Sequence, residues 1–261
     1  MRLVVKIGGV AVEDKPLLAR CAHAVADLAQ QGHQVAVVHG GGAVLTRTLA
    51  QMGKASRFVN GLRVTDAETR DVALMVLAGS VNKLLVAALV GVGQPAMGIC
   101  GGDGFTFRAR KKKSDECDLG YVGEISAVEP RWLEALWSAG AVPVISSLAL
   151  GADGEYYNVN ADQMAAACAV GCRANALIFI TDVEGVKDAD GAVMRWLDLK
   201  QVPEMVRTSV VGGGMLPKLE ACQLALRGGV ARVRVLPAAR ADALPLFYTS
   251  RIEFGTEVMV A

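Results

Sequence analysis

Two lysines in this chain stand beside glycine-rich turns, an arrangement suited to holding an anion. Lys6 lies in Lys6-Ile7-Gly8-Gly9, near the end of the first apolar run. Lys218 closes Gly212-Gly213-Gly214-Met215-Leu216-Pro217-Lys218, a glycine loop that opens a helix. Glycine lets backbone N–H groups approach an anion closely. A lysine in the first turn of a helix opposes the helix dipole, which argues for a bound anion. A third turn, His39-Gly40-Gly41-Gly42, joins a strand to a helix, where free N–H groups form an anion site. None of these is specific alone: the first reads equally as a plain strand-to-helix turn, and Lys218 equally as an exposed lysine. The chain has no GxxxxGK[ST] phosphate loop and no GxGxxG dinucleotide fingerprint. It also lacks the GxSxG elbow that an esterase would need beside HGGG.

Three polar segments could complete such a site. Asn60-Gly61-Leu62-Arg63-Val64-Thr65 offers Arg63, whose fork matches a carboxylate; the alternative is a surface arginine after an Asn-Gly turn. Asn158-Val159-Asn160-Ala161-Asp162-Gln163 enters an Ala-rich helix that Asn158 or Asn160 could cap. Beside two lysines, an ionised Asp162 would orient both ammonium groups. Thr181-Asp182-Val183-Glu184-Gly185-Val186-Lys187 ends a strand and reads either as a nucleotide contact or as a simple turn. The basic run 108–113 reads as a solvated hairpin tip, without the aromatic interleaving of a nucleic-acid surface.

The elements that must position these residues begin in βαβα order. Strands are expected at 3–7 and 34–38, with helices at 16–31 and from the HGGG turn to about 52. This opening predicts a parallel sheet with right-handed crossovers. Two helices, 66–78 and 81–90, are expected to break near Gly79. A strand at 95–100 precedes a hairpin of 105–110 with 121–128, expected to project from the main sheet. Further strands are read at 142–146, 156–159, 177–181, 232–236 and 257–260. Further helices are read at 131–138, 160–172, around 204–208 and at 216–227. The expected architecture is one α/β sheet in two lobes, with a hinge near 171–175.

Composition agrees. Hydrophobic residues make up 52%, aromatics only 5%, and there are 29 glycines, which suits aliphatic strands covered by helices. A net charge of +1 calls for neither a nucleic acid nor an anionic membrane as partner. The first residues read as a strand and no apolar run is long enough and free enough of glycine and charge to span a bilayer, so a cytoplasmic protein is expected. Six cysteines show no CxxC; Cys168 and Cys172, four apart, read as a buried helix face and not as a metal pair.

Taken together and in order, the six motifs resemble the amino acid kinase family, and within it the branch that acts on N-acetyl-L-glutamate in arginine biosynthesis. The resemblance runs from Lys6-Ile7-Gly8-Gly9 to Gly255-Thr256-Glu257. It implies an open αβα sandwich with a mainly parallel central sheet. Residues 1–173 would bind the acyl substrate and dimerise; residues 174–261 would bind ATP, with Mg2+ carried by the nucleotide and no metal held by the protein itself. Chemistry would be direct in-line transfer to a carboxylate, giving an acyl phosphate without a phosphoenzyme. Lys6 and Lys218 would neutralise the phosphoryl group, and Asp162 would hold them. Gly9 and Gly41 would donate N–H groups to it, and Gly41 and Gly42 would also touch the acyl substrate. Arg63 and Asn158 would bind its α-carboxylate. Asp182, Val183, Gly185, Lys187, Val210 and Gly212 would line the nucleotide pocket. A carboxylate needs no general base, which leaves His39 to shape its turn.

Substrate choice within the family rests on the hairpin. Asp118-Leu119-Gly120-Tyr121-Val122-Gly123-Glu124 resembles the enzymes of free N-acetyl-L-glutamate. Relatives acting on carrier-bound 2-aminoadipate or glutamate tend toward Gly-Tyr-Thr-Gly-Lys, although the basic tip 111–113 keeps an acidic carrier open. A non-catalytic metabolite sensor on the same fold is the other class, and the presence of Lys6, Lys218 and Asp162 weighs against it. Arginine-inhibited members carry an extra helix before the first strand and have a longer segment where this chain has 247–257. The expectation is a homodimer that arginine does not inhibit.

Overall fold

Short aliphatic runs, such as Leu3-Val4-Val5 and the Ala176–Thr181 run after Asn175, build the middle of the central sheet. The computed structural model describes residues 1–246 and 254–260. The chain opens with β1 (Arg2–Ile7), α1 (Gly9–Glu13), α2 (Lys15–Gln30), β2 (Gln34–His39) and α3 (Gly42–Gln51). Asp14 caps α2 by accepting from the Leu17 N–H, with Pro16 in the first turn, where its missing N–H is not needed. A small hairpin, β3 (Phe58–Val59) and β4 (Leu62–Arg63), turns at Asn60 and Gly61, whose φ values are 48° and 76°. Two successive positive φ angles are what an Asn-Gly hairpin turn supplies. Then come α4 (Ala67–Ala73), a π-helical segment (Leu74–Val81), α5 (Asn82–Gly91) and β5 (Ala96–Ile99).

The chain continues through β6 (Phe107–Lys111), β7 (Val122–Val128), α6 (Arg131–Ser138), β8 (Val142–Ser146), β9 (Leu148–Gly151), β10 (Tyr156–Val159) and α7 (Ala161–Gly171). It ends with β11 (Ala176–Thr181), β12 (Trp196–Asp198), α8 (Val202–Arg207), α9 (Met215–Arg227), β13 (Arg232–Pro237) and β14 (Thr256–Met259). The main sheet has the order β12-β14-β13-β11-β1-β2-β8-β5. Every pair in it is parallel except β13 with β14. Leu3, Val5 and Ile7 of β1 face one core with α2 and α5; Val4 faces the other with α7 and α9. Helices therefore cover both faces of one sheet that runs through both halves of the chain, because β1 pairs with β11.

Two expectations change. The hairpin of β6 and β7 does not project alone: it closes a four-stranded barrel in the order β10-β7-β6-β9. An isolated hairpin leaves two edges unpaired, and β9 and β10 fill them. The two helices expected to break at Gly79 are one helix, Ala67–Gly91, which passes through Gly79 in the π segment. Val76, Leu77, Val81 and Leu85 anchor it in the core, and that packing outweighs the roughly 1 kcal/mol that a mid-helix glycine costs. The same helix carries Gly79 and Lys83 within its apolar run. By length and composition alone it could cross a bilayer, with a mean hydropathy of 2.0; it lies here on the sheet. Its outer face leaves Met75, Leu84 and Val90 exposed. The segment 247–257 falls largely outside the described residues.

Candidate active site

Asp162 sits in the first turn of α7, delivered there by its cap. Asn160 Oδ1 accepts from the N–H groups of Asp162 at 2.9 Å and Gln163 at 3.2 Å, so Asn160, not Asn158, caps this helix. The Asp162 carboxylate pairs with two lysines at once. Lys6 Nζ, from β1 in mid-sheet, is 2.8 Å from Oδ1, and Lys218 Nζ, from α9, is 3.0 Å from Oδ2. All three residues are buried, at 8%, 6% and 8% exposure for Lys6, Lys218 and Asp162. Burial alone would raise the Asp162 carboxyl, but the two ammonium groups outweigh it and hold it below the usual carboxylate range. Burial pulls Lys218 down from the ordinary lysine range; Asp162 offsets this only in part, and Lys6 adds repulsion. Lys218 also lies 5.1 Å from the centre of the Phe179 ring. The triad keeps one excess positive charge in a shielded place, which favours a bound anion.

Two cavities meet beside this triad. The larger, of 610 Å3, is walled by Lys6, Gly9, Gly42, Asp182, Gly212 and Lys218, among others. The smaller, of 150 Å3, is walled by Gly41, Gly42, Arg63, Ser147 and Asn158, among others. Gly42 belongs to both walls. Helices α1, α3 and α9 all begin on the larger cavity, and none has a side-chain cap on its first turn. Their N-terminal N–H groups and dipoles favour phosphate there. Gly41 has a φ of 150°, and a Cβ on it would lie 2.9 Å from Leu77 Cδ2. Only glycine fits there, because the π segment lies directly against the turn.

Arg63 is buried, not a surface arginine. It donates to Gly42 O at 2.9 Å, Thr46 Oγ1 at 2.7 Å and Ser56 Oγ, with its guanidinium 4.6 Å from the centre of the Phe58 ring. Thr65, fully buried, links it to Asn158: its hydroxyl donates to Arg63 O at 2.8 Å and accepts from Asn158 Nδ2 at 3.3 Å. The Thr65 backbone docks on the barrel, donating to Leu119 O at 3.0 Å and accepting from the Tyr121 N–H at 2.6 Å. A Cβ at Gly120, whose φ is 68°, would lie 2.2 Å from Thr65 O, so this close approach requires glycine.

Most of the residues singled out from sequence converge here. Lys6, Gly9, Gly42, Asp182, Val183, Gly212 and Lys218 line the larger cavity. Gly41, Gly42, Arg63 and Asn158 line the smaller. Gly185, Lys187 and Val210 are not on either wall. After Val183 the chain turns toward β14, where the Val186 N–H donates to Thr256 Oγ1 at 2.8 Å. Gly185 is thereby packed on Val193 and Thr256, Lys187 is exposed and bridges to Val193, and Val210 packs on the core. Sequence reasoning passed over Ser147, Thr65 and Gly214. Of these, Thr65 and Gly214 stand inside motifs already singled out; Ser147 carries no local signal. The basic run is partly paired, Arg110 with Glu124 and Lys111 with Asp118. Lys112 and Lys113 border a separate 220 Å3 cavity beside Pro217 and Glu220 of α9. Cys168 and Cys172 are both buried in the core, as their spacing suggested.

This chain belongs to the amino acid kinase family, whose pattern residues 1–237 match. It is similar over its full length to proteins named acetylglutamate kinase: 64% identical to that of Acidobacterium capsulatum, covering all of both chains. With that of Koribacter versatilis it is 56% identical, over 99% of each chain. Among solved structures it resembles N-acetylglutamate synthase from Neisseria gonorrhoeae, complexed with coenzyme A and N-acetyl-glutamate. That likeness has a TM-score of 0.87 at 26% identity and covers 100% of this chain and 59% of the other.

Thr65→Val keeps the shape of the side chain but removes both hydrogen bonds of its hydroxyl. The expected loss of folding stability is about 1–3 kcal/mol, read from the shift of the urea unfolding midpoint. An unchanged midpoint would mean that the hydroxyl does not tie Arg63 to Asn158.

Proposed function

We propose that this protein transfers the γ-phosphoryl group of ATP to the γ-carboxylate of N-acetyl-L-glutamate, giving N-acetyl-L-glutamyl 5-phosphate and ADP. The observation that carries this reading is the junction at Gly42. A large cavity ringed by helix N-termini and a small one holding a buried arginine meet beside two lysines bridged by one carboxylate. The full-length likeness to acetylglutamate kinases supports the choice of acyl substrate.

The mechanism follows from charge. A carboxylate oxygen attacks the γ-phosphorus, an O–P bond forms, and the bond to the β-bridging oxygen breaks as ADP departs. In a loose, in-line transition state, positioning and charge neutralisation are the protein's main contributions. Lys6 and Lys218 meet the negative charge of the moving group from two sides. Asp162 fixes both ammonium groups without cancelling their combined charge. The N–H groups of Gly9 and Gly41 donate to the same oxygens. Arg63 and Asn158 take the α-carboxylate in the small cavity. ATP enters as its Mg2+ complex, lying along Asp182, Val183 and Gly212, with Mg2+ arriving on the phosphates.

We infer two lobes that share the large cavity: residues 1–173 line the small cavity and give Lys6, Gly9 and Gly42 to the large one, and 174–261 add α9 and the Asp182 turn. We assign the protein to the cytoplasm, in keeping with its free cysteines, and to a homodimer. Met75, Leu84 and Val90 on one helix, with Met97 on the edge strand β5, give the dimer an apolar face.

Three outcomes check this reading. Hydroxylamine traps an acyl phosphate as its hydroxamate; with ATP, N-acetyl-L-glutamate should yield it well ahead of glutamate or N-acetylaminoadipate. No hydroxamate from any of the three would defeat the kinase reading, and preference for another acid would defeat the substrate. Lys218 acts as an ammonium and loses its proton below the ordinary lysine value of 10.5, so kcat/KM for ATP should fall as pH rises, starting below that value. Asp162 is held below 3.8, so it should add no acid limb between about pH 6 and 8. An alkaline limb starting only above 10.5 would contradict the placement of Lys218. Light scattering should give twice the chain mass, and Leu84→Glu should halve it; a monomeric wild type would refute the dimer.

A further inference from the structure

His39 and Asn82 are both fully buried, and neither touches the lysine triad. His39 ends β2 and faces α5, on the opposite side of the sheet from Lys6. Their hydrogen bonds leave one consistent arrangement of protons. Asn82 Nδ2 lies 2.9 Å from Val144 O, which can only accept, so the amide nitrogen points there. The same Nδ2 lies 3.0 Å from His39 Nε2, so Nε2 accepts and carries no proton. At the other end of the ring, Nδ1 lies 2.7 Å from Gly40 O, again only an acceptor, so Nδ1 carries the proton. Two independent partners thus require the same neutral tautomer.

The consequence falls on the neighbouring peptide group. The Gly40 carbonyl and the Gly41 N–H belong to one planar trans unit, so they point in opposite directions. A carbonyl pinned toward the His39 ring sends the Gly41 N–H the other way. Gly41 lines the small cavity next to Gly42, where it joins the large one, and Leu77 and Val81 of the π segment occupy the space a Cβ on it would need. Glycine at this position has backbone freedom that nothing in its own side chain restrains. An N–H donor is useful to a moving phosphoryl group only if its direction is fixed beforehand.

We propose that His39, held as its neutral Nδ1–H tautomer by Asn82, is a positioning residue that aims the Gly41 N–H at the transferring phosphoryl group. This rests on the phosphoryl-transfer reading above and adds a buried relay, Asn82–His39–Gly40, that works through the backbone. Burial pushes the imidazole down to about 4, with the Gly40 carbonyl opposing that shift and the Lys6 charge adding to it. Of the charged groups near the relay, Lys83 of α5 lies on its side of the sheet, with Nζ 3.3 Å from Asn82 Oδ1, and the Lys6 charge acts from the other face of β1. Both are cations and both disfavour an imidazolium.

The test has a spectroscopic arm and a kinetic arm. In a long-range 15N–1H spectrum of the labelled protein, His39 should show a protonated Nδ1 and a bare Nε2, unchanged down to about pH 5. His39→Asn serves to assign the signal. A protonated Nε2, or an imidazolium at neutral pH, would overturn the proposal, and this arm needs no substrate. In the kinetic arm, an asparagine amide nitrogen sits where Nδ1 does, whereas that of glutamine sits nearer Nε2. His39→Asn should keep kcat within about fivefold of wild type, and His39→Gln should lower it about 30-fold or more, each with KM values within about threefold. Equal losses in both variants, or no loss in either, would overturn it. If wild type gave no hydroxamate, the phosphoryl-transfer reading would fail while the tautomer stayed readable, so the two failures are distinguishable.

Discussion

Lys6 and Lys218 lie 2.8 and 3.0 Å from the two oxygens of one buried carboxylate, and that ion triad constrains the rest of the molecule. Two ammonium groups brought this close in a shielded site repel each other, and each has lost most of its water. Asp162 makes the arrangement tolerable by pairing with both. It leaves a single net positive charge that an incoming phosphate can satisfy. The three residues come from β1, α7 and α9, so the site exists only when strand, helix and helix are packed together. Separation of α9 from the sheet would leave a buried charge without its partner.

The architecture supplies that packing. A parallel sheet brings the ends of β1 and β2 to the same edge, and each strand feeds a glycine turn into a helix N-terminus. The barrel at the other side of the small cavity holds Asn158, and Thr65 ties it to Arg63. The π segment closes against Gly41 from above. On the proposed mechanism, the phosphate would meet the two lysines and backbone N–H groups whose directions are fixed by neighbours, and the acyl substrate would meet mainly side chains.

Much of this was legible in the sequence. Glycine turns after apolar runs gave strand ends, and lysines next to them gave an anion site. Their order along the chain separated phosphoryl transfer from an isolated anion site. What stayed hidden depended on tertiary contact. Gly79 looked like a helix break because propensity is local, whereas Val76, Leu77 and Val81 are held by the core. The hairpin looked free because its partners, β9 and β10, follow a helix and another strand later. Gly185, Lys187 and Val210, which the resemblance assigns to the nucleotide pocket, lie off the walls of both cavities here, and the Val186 bond to Thr256 ties the turn of Gly185 and Lys187 to β14. Thr65 and Asn82 carry no mark of their own; only their buried hydrogen bonds single them out.

On the proposed mechanism, Asp162 holds two lysines in place for the moving phosphoryl group and binds neither substrate. Single-turnover phosphoryl transfer in Asp162→Asn, with ATP binding measured separately on the same protein, tests it most directly. The transfer rate should fall about 100-fold or more while the Kd for ATP changes by less than about threefold. A transfer rate near wild type, or a loss explained entirely by weaker ATP binding, would contradict it.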